Sequence, residues 1–241
     1  MPQQETHPYN LQEIGRIPEG TRLLIVGTAP PPRFSLPRPP HDGPKKGFDA
    51  DFYYGSGSNW LWVYLEKAAG EEIFEEPCTS EASSEDTENL MRDFLRRNHF
   101  WMRDVLQIYK RKPGRETKAE DSAIDLDWVG TKFSEFLPIL KENEHVSRVA
   151  FTSVTAAKWF FGKALAAEVD QKKAEFYRSR FADANKKREG KLGHTKYTDP
   201  FCTEELGDRS IVFYVLPSPS GRAAQFDPDL VNVFQAVLFQ K

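Results

Sequence analysis

The chain has 241 residues, 39% hydrophobic, 29% charged and 13% aromatic: enough for one generous domain or a domain with insertions, and too aromatic for a disordered tail protein. No run approaches the roughly 18 apolar residues of a membrane-spanning helix, and two cysteines, Cys78 and Cys202, exclude a disulfide framework, a four-cysteine zinc site and an all-cysteine iron–sulfur cluster. The net charge of −3 hides segregation: residues 71–90 carry eight acids and no Lys or Arg, whereas 92–118 hold nine Lys/Arg against three acids and 162–196 ten against five, which permits an anionic partner.

In chain order, residues 1–10 are polar and lack a hydrophobic signal region, so the cytoplasm is the expected compartment. Arg22-Leu23-Leu24-Ile25-Val26-Gly27 is a short apolar run stopping at Gly27 and Pro30-Pro31-Pro32, as a buried parallel strand would. Residues 33–47, with Pro37, Pro39, Pro40, Pro44, Lys45 and Lys46, predict extended loop. After Asn59, the residues Trp60, Leu61, Val63, Tyr64 and Leu65 fit one broad helical face up to Gly70, and the acidic, Ser-rich stretch 71–88 predicts a solvated loop. A helix over 90–98, an extended buried segment over 100–109, a helix over 127–143 interrupted at Pro138, and a strand over 147–152 follow. A helix begins over 156–161, and a long charged helical stretch runs over 163–188 to Gly190, its Lys and Glu residues fitting a solvated face. The strand 210–216, ended by Pro217-Ser218-Pro219-Ser220-Gly221, and a helix over 228–240 close the chain.

Alternating strands and helices predict an α/β fold with a parallel sheet covered on both faces, and such sheets bind ligands at the carboxyl ends of their strands. The loops after Val26, Phe151 and Leu216 are therefore the places to look. Two constellations lie there or beside them. The first is Gly27-Thr28-Ala29-Pro30, followed by Phe52-Tyr53-Tyr54-Gly55-Ser56-Gly57-Ser58-Asn59-Trp60-Leu61-Trp62; the second is Leu216-Pro217-Ser218-Pro219-Ser220-Gly221. Each alone also reads as local structure: a Gly-Pro strand exit, aromatics packed under a helix, an Asn cap and a Ser-Pro turn.

Taken in order, these residues resemble the uracil-DNA glycosylase superfamily, whose first strand ends in a Gly-x-x-Pro loop and whose last ends in a His- or Leu-Pro-Ser loop. The aromatics, Gly and Asn-x-x-Trp look most like the hypoxanthine-DNA glycosylase branch, with the mismatch-specific uracil branch next. His99-Phe100-Trp101-Met102-Arg103-Asp104-Val105 looks like the middle strand ending in Asp-Val, Glu120-Asp121-Ser122-Ala123-Ile124 like the small Asp-Ser-x-Ile element, and Phe151-Thr152-Ser153 with Ala156 and Ala157 like the third strand and its Ala-rich helix start. The resemblance spans about residues 22–234. It implies a single three-layer α/β/α domain with a central, mainly parallel four-stranded sheet and insertions near 33–47, 71–90 and 163–209.

The resemblance further implies a monofunctional DNA glycosylase that hydrolyses the N-glycosidic bond of a flipped damaged or modified base, with a catalytically inactive nucleic-acid-binding protein of the same fold as the alternative. Asn59 matches the catalytic Asn of the hypoxanthine branch. An amide is no strong base, so its role would be to hold a water near the sugar carbon; its structural rival is a helix cap. The mismatch-specific branch places its Asn where this chain has Ala29. Tyr54 matches the aromatic that stacks on the extruded base, Phe52 lies two residues earlier and reads equally as core, and Thr28, Ala29 and Ser218 complete the base-binding set. Ser218, Ser220, Gly221 and Arg222 would meet DNA phosphates or enter the duplex, and Lys45 and Lys46 would add phosphate contacts. The last loop lacks the His of the uracil enzymes, and no Lys matches a Schiff-base position. Asp104 and Asp121 read as structural hydrogen-bond acceptors. The five histidines are scattered singly, without metal-site spacing, so neither a metal nor a cofactor is expected. The expected partner is DNA, with no membrane, and the expected state is a monomer.

Overall fold

The structure, a computed structural model, describes residues 3–10, 16–36, 49–71, 84–206, 208–220 and 226–239. Its centre is set by residues apolar enough to be buried on both faces. Strands β2 (Leu23–Gly27), β3 (Phe100–Asp104), β6 (Arg148–Phe151) and β8 (Arg209–Val215) run parallel, with Leu24 opposite Trp101 and Val149, and Val149 opposite Phe213. The sheet has five strands rather than four, in the order β3-β2-β6-β8-β7. The fifth, β7 (Cys202–Leu206), pairs antiparallel with β8 at the edge. Its sequence, Cys-Thr-Glu-Glu-Leu, keeps charged side chains on the outer edge, a common way of blunting an exposed edge strand.

A second, antiparallel sheet was not anticipated. It joins β1 (Gln4–Thr6), β4 (Leu106–Lys110) and β5 (Lys132–Phe133) in the order β1-β4-β5. The extended segment expected over 100–109 is thus two strands, parted at Val105. A buried ion pair between Arg111 and Glu5, 2.9 Å apart, pins β1. Arg111 also donates to the Pro30 carbonyl at 3.1 Å, so the same guanidinium holds the chain leaving β2. Removing either partner of so buried a pair would strand the other's charge.

Helices cover both faces of the main sheet. Phe151 and Phe213 project to one side, where they meet Phe160 and Phe161 from the π-helical segment Phe160–Ala164 that continues α5 (Val154–Trp159). Arg148, of opposite parity, donates to the Val237 carbonyl of α9 (Asp229–Leu238). That helix packs on α2 (Leu61–Ala69), Tyr64 stacking on Phe234 with centroids 4.6 Å apart. The remaining helices are α1 (Pro32–Ser35), α3 (Ser84–Arg97), α4 (Phe136–Glu142), α6 (Leu165–Ala167), α7 (Gln171–Glu189) and α8 (Thr195–Thr198).

Three expectations are corrected. Residues 127–135 are not helical: α4 starts at Phe136, so Pro138 sits in its first turn, where its missing N–H breaks no intrahelical bond. Carboxylate oxygens of Glu168 cap that turn, accepting from the Phe136 and Leu137 N–H groups at 2.8 and 2.9 Å. The charged stretch over 163–188 is broken before α7, which Asp170 starts by accepting from Lys173 N at 2.9 Å. Residues 33–35 and 84–88, expected as loop, belong to α1 and α3; Pro37, Pro39, Pro40, Pro44, Lys45 and Lys46 lie outside the described residues, as do residues 72–83.

Candidate functional site

A cavity of about 380 Å³ opens where β2, β6 and β8 end. Its volume falls in the roughly 300–1,000 Å³ range of small-molecule sites. Asn59, Tyr54, Phe52, Thr28, Ala29, Ser218 and Ser220 all border it, although they come from three separated stretches. Gly221 and Arg222 lie outside the described residues. Two backbone contacts bring the stretches together: Trp60 N–H donates to the Pro219 carbonyl at 2.8 Å, and Asn59 bridges Ser220 in antiparallel fashion. The loop before α2 and the loop after β8 are therefore one wall. A larger cavity, about 1,090 Å³, lies elsewhere along the edge of β3 near Arg103 and the end of α4, and none of the expected site residues borders it.

Tyr54 is the strained member. Its φ of 56° lies in the left-handed region, sparsely populated by residues with a Cβ. The conformation carries the phenol across the end of β2, where its hydroxyl bonds the Thr152 hydroxyl at 2.8 Å. Gly27 makes room for it: a Cβ there would stand 1.7 Å from the Tyr54 hydroxyl and 2.4 Å from Asp104 Oδ1. Gly55 is required for a second close approach, since its Cβ would meet the Ala50 carbonyl at 2.1 Å. Burial raises the Tyr54 phenol well above its ordinary range, so it stays neutral.

Phe52 is 1% exposed, and its ring meets Tyr9, Tyr53, Trp62 and Trp101. It borders the cavity from within an aromatic cluster that supports the Tyr54 turn. Asn59 is half-buried, and its Oδ1 accepts from the Leu61 N–H at 2.9 Å. The amide thus shapes the start of α2, while its Nδ2 group and second oxygen lone pair supply further bonding capacity. At the rim, Arg33 donates twice to Asp49, at 2.7 and 2.8 Å, and Asp49 accepts from the Gly57 N–H at 3.0 Å, holding the Gly-Ser loop before Asn59.

Two carboxylates at the cavity exceed what the sequence reading assigned. Asp104 and Asp121 do accept hydrogen bonds, from His7 Nε2 at 2.9 Å and from the Thr28 hydroxyl at 2.7 Å, yet both also line the cavity. Burial raises the Asp121 pKa, the Thr28 hydroxyl opposes the shift and Asp104 adds to it. His7 comes from the N-terminal segment, 97 positions before its partner. No local pattern marks such a pair, because a lone His carries no spacing signal. Among the described residues, no group of three or more His, Cys, Asp or Glu side chains is placed to hold a metal ion, and no helix is long and apolar enough to cross a membrane.

No family model matches the chain, and no curated protein matches it. Among solved structures it is similar to a protein from Methanosarcina acetivorans, solved by NMR and named a "putative Uracil DNA glycosylase", at 18% identity and a TM-score of 0.44, over 92% of this chain and 91% of that one.

Proposed function

We propose that this chain is a monofunctional DNA glycosylase that takes an extruded damaged or modified base into the cavity at the ends of β2, β6 and β8 and hydrolyses its N-glycosidic bond. The observation that carries this reading is convergence: the Gly-x-x-Pro loop, the aromatic-Gly-Asn loop and the Leu-Pro-Ser loop, distant in sequence, form one concave wall.

A duplex hides the sugar–base bond, and unstacking a base costs a few kcal/mol, which the cavity must repay by stacking and edge hydrogen bonds. The Tyr54 ring, locked by its turn and by Thr152, supplies a rigid surface of the kind worth about 1–3 kcal/mol per stacked base. Positive charge develops on the sugar carbon as the bond breaks, so an amide that orients a water is adequate where a strong base would otherwise be needed. Asn59 is that amide. No lysine is among the described residues lining the cavity, which suits direct hydrolysis over Schiff-base attack. To Ser218 and Ser220, which border the cavity, we assign phosphate contacts, and on sequence grounds alone the same role goes to Gly221, Arg222, Lys45 and Lys46.

One observation favours the alternative of a nucleic-acid-binding protein without hydrolytic activity: Asn59 Oδ1 already serves the Leu61 N–H. The two readings part in one experiment. Oligonucleotides carrying uracil, hypoxanthine, oxidised pyrimidines or bulky modified pyrimidines are incubated with the protein and then treated with alkali. Cleavage at one or more of these bases is expected. Binding without any alkali-labile site would leave the binding protein, and absence of binding would defeat both.

A further inference from the structure

The long helix α7 lies outside the cavity, at the edge of the main sheet. Its residues Ala174, Tyr177 and Ala184 are buried, Arg180 pairs with Glu204 of β7 at 2.5 Å, and none of its side chains borders the cavity. Residues 171–199, which hold α7 and α8, carry nine Lys/Arg against four acids in a chain of net charge −3.

A helix face that is merely solvated offsets its charges with partners of opposite sign three or four positions away. The acids of α7 are used otherwise. Glu175 accepts from the Gln171 amide at 3.0 Å and Glu189 from the Asn185 amide at 2.8 Å, and among the described residues no ion pair joins two side chains of this helix. The first turn, after the Asp170 cap, holds Lys172 and Lys173 and no acid, although the positive end of the helix dipole disfavours cations there. Lys186 and Lys187 repeat the pair in the last turns, and all four lysines are exposed. At about 1.5 Å of rise per residue the two pairs stand roughly 21 Å apart, the length of about six base pairs of duplex.

Aromatic rings accompany these cations. The Lys173 ammonium lies 4.6 Å from the centre of the exposed Phe176 ring, and Arg188 and Lys196 both lie against Tyr197, at 5.1 and 4.8 Å. A helix that rests on lipid turns an apolar face outward. The outward face of α7 offers only Phe176 and Ala182, so its charge fits a backbone of regularly spaced phosphates better than a membrane.

We propose that α7 is a second nucleic-acid contact of this protein, in which the lysine pairs at its two ends take phosphates of a DNA duplex, independently of its sequence and of any base in the cavity. The contact does not depend on hydrolysis.

The test uses the full-length protein and a duplex of about 20 base pairs with no modified base, titrated between about 50 and 200 mM salt. In the variant Lys172→Gln, Lys173→Gln, Lys186→Gln, Lys187→Gln, the slope of log affinity against log salt is expected to flatten by at least about 1.5 units, up to about 3.6 if all four lysines meet phosphates. A smaller change, or a wild type that does not bind the duplex, would overturn the proposal. If the variant does not fold, lysine acetylation of the wild type decides. With duplex at about ten times its Kd, Lys172, Lys173, Lys186 and Lys187 should be acetylated at least about threefold more slowly, while the exposed Lys67 and Lys141 keep their rates. Protection at α7 no greater than at Lys67 and Lys141 would overturn it. So would phosphatidylserine vesicles that bind the wild type more tightly than the duplex does. Because the duplex offers no base to excise, an unchanged slope would refute this contact alone, and failure to release any base would refute hydrolysis alone.

Discussion

Burial holds the Asp121 carboxyl above the usual Asp range; the Thr28 hydroxyl and Arg111 pull it down, and the neighbouring Asp104 pushes it further up. A carboxyl whose folded pKa is raised binds its proton more tightly in the native state, so it costs stability once the pH has risen through that value and costs nothing well below the unfolded value near 3.9. Asp121→Asn, which keeps an oxygen for the Thr28 hydroxyl to reach at the 2.7 Å contact, should therefore raise Tm at about pH 8. The gain should shrink as the pH is lowered to about 4. Thermal melts of both proteins at the two pH values check this, and an equal difference at both would contradict it. A raised carboxyl beside a cavity is in keeping with the clustering of perturbed groups at functional sites. Tyr54 makes the same point through its backbone: a left-handed φ persists only where surrounding contacts over-determine it, and here Gly27 and Thr152 do so.

At the scale of elements, the edge strand β7 protects its one cysteine. Cys202 is 8% exposed, and burial, reinforced by Glu204, pushes its thiol up to about 12. Since the thiolate is the nucleophile, iodoacetamide should alkylate Cys202 at neutral pH at least about a hundredfold more slowly in the native protein than in denaturant. Mass spectrometry of the Cys202 peptide reads the two rates, and comparable rates would place β7 off the sheet. The strand itself was invisible in the sequence, as was β1, because Cys-Thr-Glu-Glu-Leu and Gln-Glu-Thr carry no apolar run; they are strands by virtue of the partners they pair with, β8 and β4. By contrast β2, β6 and β8 were legible within a residue or two, since strands covered on both faces must be apolar throughout. Pro138 misled for a physical reason: proline breaks a helix only in its interior, and α4 begins two residues before it.

Over the whole molecule, the same division holds for the site. Its loops were legible, because strand exits need Gly and Pro and the sheet architecture says that ligands bind at those exits. Its carboxylate chemistry was not, because it depends on pairs such as His7 with Asp104 and Thr28 with Asp121, 97 and 93 positions apart, that only the packed chain creates. The proposed hydrolysis depends on Asn59, which has two candidate jobs. Its oxygen accepts from the Leu61 N–H, and that structural job alone would be worth about 1 kcal/mol and would be kept by a serine. Orienting a water beside the sugar needs the amide. The most direct measurement is single-turnover base release by the wild type, Asn59→Ala and Asn59→Ser on an oligonucleotide that the wild type cleaves, with DNA affinity and Tm measured in parallel. Both variants are expected to release base more than tenfold more slowly, roughly 1.4 kcal/mol or more in the barrier, at nearly unchanged DNA affinity, with Asn59→Ser close to wild-type Tm. Recovery of the wild-type rate in Asn59→Ser, or a loss below tenfold in Asn59→Ala, would make Asn59 a helix-start residue and contradict the account.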